Sequence, residues 1–228
     1  MKLGLLFAMA AELHAMPGLK ELEPFETISG IPFFQVAPNI IACAAGIGKV
    51  NAAMGAQLLC AHFKVDLMVN SGVAGCAEDL PTGTMVVVSD FVQHDMDTSL
   101  IGDEVGFVST VNCVSFPTYK PERTQAMLKS LGIDTHMGRT ATGDWFSTGN
   151  DRGKWICDTF KPLLLEMEGC AGAQVAMRNN VPFIAVKSVS DRLFSTAQSD
   201  EYFDFPKAME QLGAVMLPLA LELQKVGL

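Results

Sequence analysis

The chain has 228 residues, 49% of them hydrophobic and 18% charged, which supplies apolar material for a sizeable core within one domain spanning residues 1–228. Acidic residues outnumber basic ones 25 to 16, for a formal net charge of -9, and no Lys/Arg-rich run occurs. That balance argues against nucleic acid and against an anionic membrane surface as partners, because both are held by clustered positive charge.

Strand-like and helix-like patterns alternate along the chain. Residues 3–7 read as a buried strand, and 11–22 as the helix that follows. Residues 31–36 and 40–44 read as two strands joined around Pro38-Asn39. Val50, Ala53, Met54, Leu58 and Ala61 recur at helical spacing, so 49–62 is expected to be a helix with one apolar face. A short strand at 67–70 then enters a glycine-rich turn, and 85–88 is a β-branched strand. Residues 121–131 open with proline, as helices often do. A strand at 163–167, a helix at 170–178 and a strand at 183–186 come next. Phe205, Met209, Leu212, Met216 and Leu219 mark a long amphipathic last helix, which Pro218 should bend. The expected fold is α/β: a mostly parallel central mixed sheet flanked by helices. Residues 98–121 are the least regular stretch and the best candidate for a long functional loop.

The six cysteines, Cys43, Cys60, Cys76, Cys113, Cys157 and Cys170, form no C-x-x-C pair and lie among apolar or small neighbours. They read as reduced core residues of a cytoplasmic protein. The four histidines are scattered, so no metal site is expected. Residues 3–8 are too short for a signal-peptide core and contain Gly4. No apolar run approaches the roughly 20 residues that cross a bilayer.

In sheets of this kind ligands sit beyond the carboxyl ends of strands. Ala8-Met9-Ala10-Ala11-Glu12 follows the first strand, Ala45-Gly46-Ile47-Gly48-Lys49 a later one, and Ser71-Gly72-Val73-Ala74-Gly75 the next. Met167-Glu168-Gly169 and Ser188-Val189-Ser190-Asp191 complete the set. Two glycine turns and three carboxylates therefore converge on one edge of the sheet. Each piece has an ordinary reading: the glycines as plain turns, Glu12 as a first-turn helix acid. Glu168 and Asp191 are odder, because acids directly after apolar strands need partners, and a ligand is a common reason for them.

The segments AMAAEL, AGIGKVNAA, NSGVAG, VVVSDFVQHDMD, GDWFSTG, LLLEMEGCAGAQVA and VPFIAVKSVSD occur in this order between Met1 and Asp191. Together they resemble the methylthioadenosine/S-adenosylhomocysteine nucleosidases, a hydrolytic branch of the nucleoside phosphorylase superfamily. The resemblance implies cleavage of the N-glycosidic bond of an adenine thionucleoside without any cofactor. It gives Asp191 the role of acid toward the purine imidazole ring, Glu12 that of base for the attacking water, and Glu168 that of acceptor for the ribose hydroxyls. Met9, Ile47, Phe146, Ser147, Met167 and Ser190 would line the substrate site, Phe146 stacking on adenine and the Ser147 backbone reading its amino edge. It also implies a homodimer in which the loop near Ile101 closes the partner's site.

The first loop separates hydrolase from phosphorylase. A phosphorolytic enzyme needs cationic donors for phosphate, whereas residues 8–13 hold no cation and one carboxylate, Glu12. Three departures from the family bear on substrate preference: Lys187 for a common arginine, Val73 for a common serine, and Ile101 where some relatives carry an aromatic. Competing readings are hydrolysis of another purine nucleoside such as aminofutalosine or adenosine, a purine nucleoside phosphorylase, and a non-catalytic nucleoside-binding or storage protein. A dinucleotide-dependent oxidoreductase lacks its third glycine here.

Overall fold

The computed structural model describes residues 1–147, 149–194 and 204–227. Its chain order is β1 (Leu3–Phe7), α1 (Ala10–His14), β2 (Glu26–Ile28), β3 (Ile31–Ala37), β4 (Ile40–Ala44), α2 (Lys49–Ala61), β5 (Leu67–Cys76) and β6 (Met85–Gln93), then β7 (Ser115–Pro117), α3 (Pro121–Ser130), β8 (His136–Thr142), α4 (Asp151–Phe160), β9 (Leu164–Glu166), α5 (Gly169–Arg178), β10 (Phe183–Arg192) and α6 (Phe205–Val226).

The strands form one ten-stranded sheet. It is a mixed sheet, as expected. Among the described residues, β1–β4, β1–β5, β5–β10, β6–β8 and β8–β9 pair parallel, whereas β2–β3, β3–β4, β5–β9, β6–β7 and β6–β10 pair antiparallel. The antiparallel share comes partly from the hairpin at Pro38-Asn39, where Asn39 adopts φ 61°, and partly from closure. Strand β5 pairs with both β10 and β9, so β5, β10, β6, β8 and β9 return on themselves as a ring. A ring leaves no open edge on those strands, and closing it requires β10 and β6 to meet antiparallel.

Alternation along β1 shows how the two faces are filled. Leu3, Leu5 and Phe7 enter a core shared with Leu13, Leu128 of α3, and Leu212, Met216 and Leu219 of α6. Leu6 enters a second core with Ala56 and Leu59 of α2 and Ala173 and Ala176 of α5. Helix α2 lies close to the sheet because its contact positions are small. A Cβ at Gly55 would stand 2.7 Å from that of Ala45.

Several boundaries differ from the sequence reading. The first helix stops at His14, not residue 22, because Pro17 follows and Gly18 turns at φ 81°. Residues 71–75 are not a turn: β5 runs through them to Cys76, held against β10. Strands β6 and β10 likewise extend past their apolar runs, to Gln93 and Arg192. The irregular stretch 98–121 contains β7, which pairs with β6. Helix α6 is capped by the Asp204 side chain, which accepts the Lys207 N–H at 2.9 Å, and it continues through Pro218.

Candidate active site

One cavity of about 150 Å³ opens where the carboxyl ends of β1, β5, β9 and β10 meet. All nine residues singled out from the sequence line it: Met9, Glu12, Ile47, Phe146, Ser147, Met167, Glu168, Ser190 and Asp191. Val73, Glu166 and Phe205 line it too.

Glu12 sits in the first turn of α1 and is 2% exposed. Its Oε2 accepts the N–H groups of Ala8 (3.2 Å) and Met9 (3.0 Å), and its Oε1 accepts that of Val73 (3.1 Å). Three backbone donors thus fix the carboxylate between β1 and β5. Gly72 makes room for it, since a Cβ there would lie 2.8 Å from Glu12 Oε1. Burial raises the Glu12 pKa, opposed by those N–H groups and by the Lys187 charge.

Asp191 owes its position to an irregularity. The β10–β5 register shifts between Val189 and Asp191, leaving Ser190 as an extra residue. Such a bulge re-aims the side chain after it. The Ser190 hydroxyl donates to Asp191 Oδ1 at 2.7 Å, and a Cβ on Gly75 would come within 3.2 Å of Asp191 Oδ2. Burial raises the Asp191 pKa, which favours a carboxyl that carries a proton. The glycines of the NSGVAG segment therefore clear space for two acids.

Glu168 is the residue before α5. Gly48, at φ 97°, donates its N–H to Glu168 Oε1 at 2.7 Å. Burial and the neighbouring Glu166 push the Glu168 pKa up to about 7, against the pull of Lys187.

Two further buried residues, Glu166 and His94, were not assigned to the site from the sequence. Glu166 accepts Lys187 Nζ at 3.0 Å, with both side chains 2% exposed. The same oxygen accepts the N–H groups of Glu168 (3.1 Å) and Gly169 (2.7 Å), while Thr142 donates its hydroxyl to the other. Glu166 thereby satisfies the first N–H groups at the start of α5 and pairs the buried ammonium. His94, 2% exposed, stands edge-on to Trp145, and burial lowers its pKa.

The arrangement is an acidic cavity. Among its described lining residues there is no lysine or arginine, and Glu12 is the charged residue of the loop after β1. It can supply a proton at Asp191, accept one at Glu12 and place a carboxylate at Glu168. That chemistry suits attack of water at an acetal-like carbon whose leaving group needs a proton.

Comparison with known proteins agrees with the geometry. The phosphorylase superfamily model matches residues 2–222. The 5'-methylthioadenosine/S-adenosylhomocysteine nucleosidase of Shewanella pealeana is 33% identical over 232 residues, covering 97% of this chain and 99% of that one. The crystal structure of the 5'-methylthioadenosine/S-adenosylhomocysteine nucleosidase from Helicobacter pylori with butyl-thio-DADMe-Immucillin-A superposes with a TM-score of 0.86 at 26% identity, over 97% of this chain and 98% of that one. The futalosine hydrolase of Helicobacter pylori strain 26695 matches with the same TM-score, identity and coverage. The chain belongs to the phosphorylase superfamily and, within it, to the 5'-methylthioadenosine/S-adenosylhomocysteine nucleosidase family.

Proposed function

We propose that this protein hydrolyses the N-glycosidic bond of 5'-methylthioadenosine, S-adenosylhomocysteine or both, releasing adenine. The observation that carries the reading is the cavity with Glu12, Glu168 and Asp191 on its wall and no cation among its described lining residues. Asp191 protonates the imidazole-ring nitrogen of the purine as the bond to the anomeric carbon breaks, so adenine leaves neutral. Glu12 takes a proton from the water whose oxygen bonds that carbon. Glu168 accepts the ribose hydroxyls, and its charge stabilises the cationic sugar of the transition state. Met9 and Met167 pack on the ribose, Phe146 stacks on adenine, the Ser147 backbone reads its amino edge, Ile47 meets the thioether end, and Ser190 steadies Asp191.

The active form is a homodimer, and the whole chain, 1–228, acts as one domain. Leu100 and Ile101 are almost fully exposed, and Ile47, Val50 and Met54 stand out at the start of α2. Lys49 Nζ pairs with Asp95 at 2.6 Å, which ties the base of the 98–121 loop to that helix. Exposed apolar side chains favour a partner over water. The protein works in the cytoplasm: Cys43, Cys60, Cys76 and Cys170 are buried free thiols, and among the described residues no helix is long and apolar enough to cross a membrane.

Purified protein is incubated with methylthioadenosine, S-adenosylhomocysteine, adenosine and aminofutalosine, with and without phosphate, and free base and sugar are measured. Adenine and free sugar should form from the thionucleosides in phosphate-free buffer. Ribose 1-phosphate as the product, with no turnover in its absence, overturns the hydrolase reading. The likeness to futalosine hydrolase supports a second substrate, aminofutalosine, which a dominant rate on that compound would establish.

A further inference from the structure

Behind the base end of the cavity, three hydrogen bonds form a closed circuit outside the lining, and a fourth, to Gln93, branches from it. Lys49 Nζ donates to Asp95 Oδ1 at 2.6 Å and to Gln93 Oε1 at 3.3 Å. The Asp144 N–H donates to Asp95 Oδ2 at 2.9 Å. The Lys49 N–H donates back to Asp144 Oδ1 at 2.8 Å. The circuit joins three separate segments: the first residue of α2, the chain leaving β6, and the chain leaving β8. Gly48 is held open for it, since a Cβ there would stand 3.0 Å from Asp144 Oδ1.

The circuit has two outlets to the cavity. On one side Gly48, next to Lys49, donates to Glu168. On the other side Asp144 is two residues before Phe146 and three before Ser147, both cavity-lining. Residues 143–147 have no regular secondary structure, so their path depends on side-chain anchors rather than on a helix or strand ladder.

We propose that Lys49, Asp95 and Asp144 are positioning residues that clasp the Phe146–Ser147 segment at a set distance from Glu168, so that base and ribose are held together in one register. The proposal rests on the nucleosidase reading of the site. None of the three touches the cavity. The Lys49–Asp95 ion pair is about four-fifths buried on each side, which shields it from the screening that weakens surface pairs. Although burial opposes it, the hydrogen bonds from Lys49 and from the Asp144 N–H hold the Asp95 carboxyl below its ordinary range, so the clasp stays charged at neutral pH.

The two acids differ in a way that makes the clasp testable. Asp95 uses both oxygens as acceptors, for an ammonium and for a peptide N–H. In Asp95→Asn the new NH2 group must face one of those donors. Asp144 uses one oxygen, for the Lys49 N–H, and Asp144→Asn keeps it, whereas Asp144→Ala does not. A clasp on the base acts in ground and transition states alike, so its loss falls mainly on KM.

The test measures kcat and KM for methylthioadenosine, the Kd for adenine, and Trp145 emission in a Trp155→Phe background, for wild type and for Asp95→Asn, Asp144→Ala, Asp144→Asn and Lys49→Met. Asp95→Asn, Asp144→Ala and Lys49→Met should each raise KM and the adenine Kd by about tenfold or more, the scale of a lost charge-assisted hydrogen bond. In these variants kcat should fall less than KM rises, and Trp145 emission should shift to the red. Asp144→Asn should stay within about threefold of wild type. Lys49→Met removes the same ion pair from a second position and serves if Asp95→Asn does not fold. Unchanged KM and adenine Kd in the first three variants, or equal damage from Asp144→Asn and Asp144→Ala, overturns the clasp. Wild type that releases no base from any of the four nucleosides would instead overturn the nucleosidase reading, and the adenine Kd and Trp145 emission still decide the clasp.

Discussion

Replacing Glu168 by glutamine should make the protein more stable at alkaline pH while removing its activity. The folded Glu168 carboxyl is raised from an ordinary 4.5 to about 7 by burial and by Glu166. A group with a raised folded pKa contributes stability that is complete below its unfolded pKa and is lost as pH rises through the folded one. For Glu168 that window runs from about 4.5 to about 7. Each pKa unit corresponds to about 1.36 kcal/mol, so the wild type should lose roughly 2–3 kcal/mol between pH 5 and pH 8.5 that the glutamine variant does not. Glutamine keeps an oxygen for the Gly48 N–H, which Glu168 accepts at 2.7 Å, while its NH2 group faces the Met167 N–H that Glu168 accepts at 3.3 Å; that loss is the same at both pH values.

The assay is urea unfolding of wild type and Glu168→Gln at pH 5 and pH 8.5, read as the difference between the two proteins at each pH. Other titrating groups cancel to first order in that difference. Turnover should drop about a hundredfold or more if Glu168 supplies the proposed charge toward the developing sugar cation. A difference that does not change with pH, or that turns against the variant as pH rises, refutes the reasoning about burial and the Glu166 neighbour.

Two further outcomes are expected. Asp191→Asn keeps an acceptor for the Ser190 hydroxyl and so should fold normally, while kcat falls by about a hundred- to ten-thousand-fold; near-native adenine release by a folded variant removes Asp191 as the acid. Ile101→Asp should weaken the proposed dimer in light scattering and raise KM for methylthioadenosine more than for adenosine; a wild-type monomer fully active at micromolar concentration contradicts the shared site.

The fold was legible where apolar periodicity and local turn chemistry coincide. Pro121 at the start of α3, the Pro38-Asn39 hairpin and the apolar stripe of α6 all reappear in the structure. Strands β2, β7 and β8 and helix α4 were not recognised. Strand β8 reads His-Met-Gly-Arg-Thr-Ala-Thr, with little apolar signal. It is a strand because β6 and β9 flank it and supply its ladder. The same tertiary pairing overrides the glycines of 71–75, whose flexibility suggested a turn.

At the site the sequence pointed to acids but not to what holds them. Lys187 lies in the apolar run Phe-Ile-Ala-Val-Lys-Ser-Val. A lysine there is buried, and a buried ammonium requires a carboxylate close by. Glu166 and Glu168, two apart after an apolar run, were the obvious pair to search, because alternate positions on an extended strand share a face. That rule breaks one residue too early: β9 ends at Glu166 and the chain turns into α5. The turn divides the two acids between separate tasks. Glu166 points back, to Lys187 and to the N–H groups at the start of the helix, and Glu168 points across to Gly48. The division also adds to the rise in the Glu168 pKa that burial begins: Glu166 contributes its negative charge as a neighbour, and Lys187, engaged at Glu166, offsets it only in part. A glutamine at 166 would thus be expected to lower the Glu168 pKa while leaving Lys187 without a counter-charge, and the buried pair has to be read together with the acid it frees.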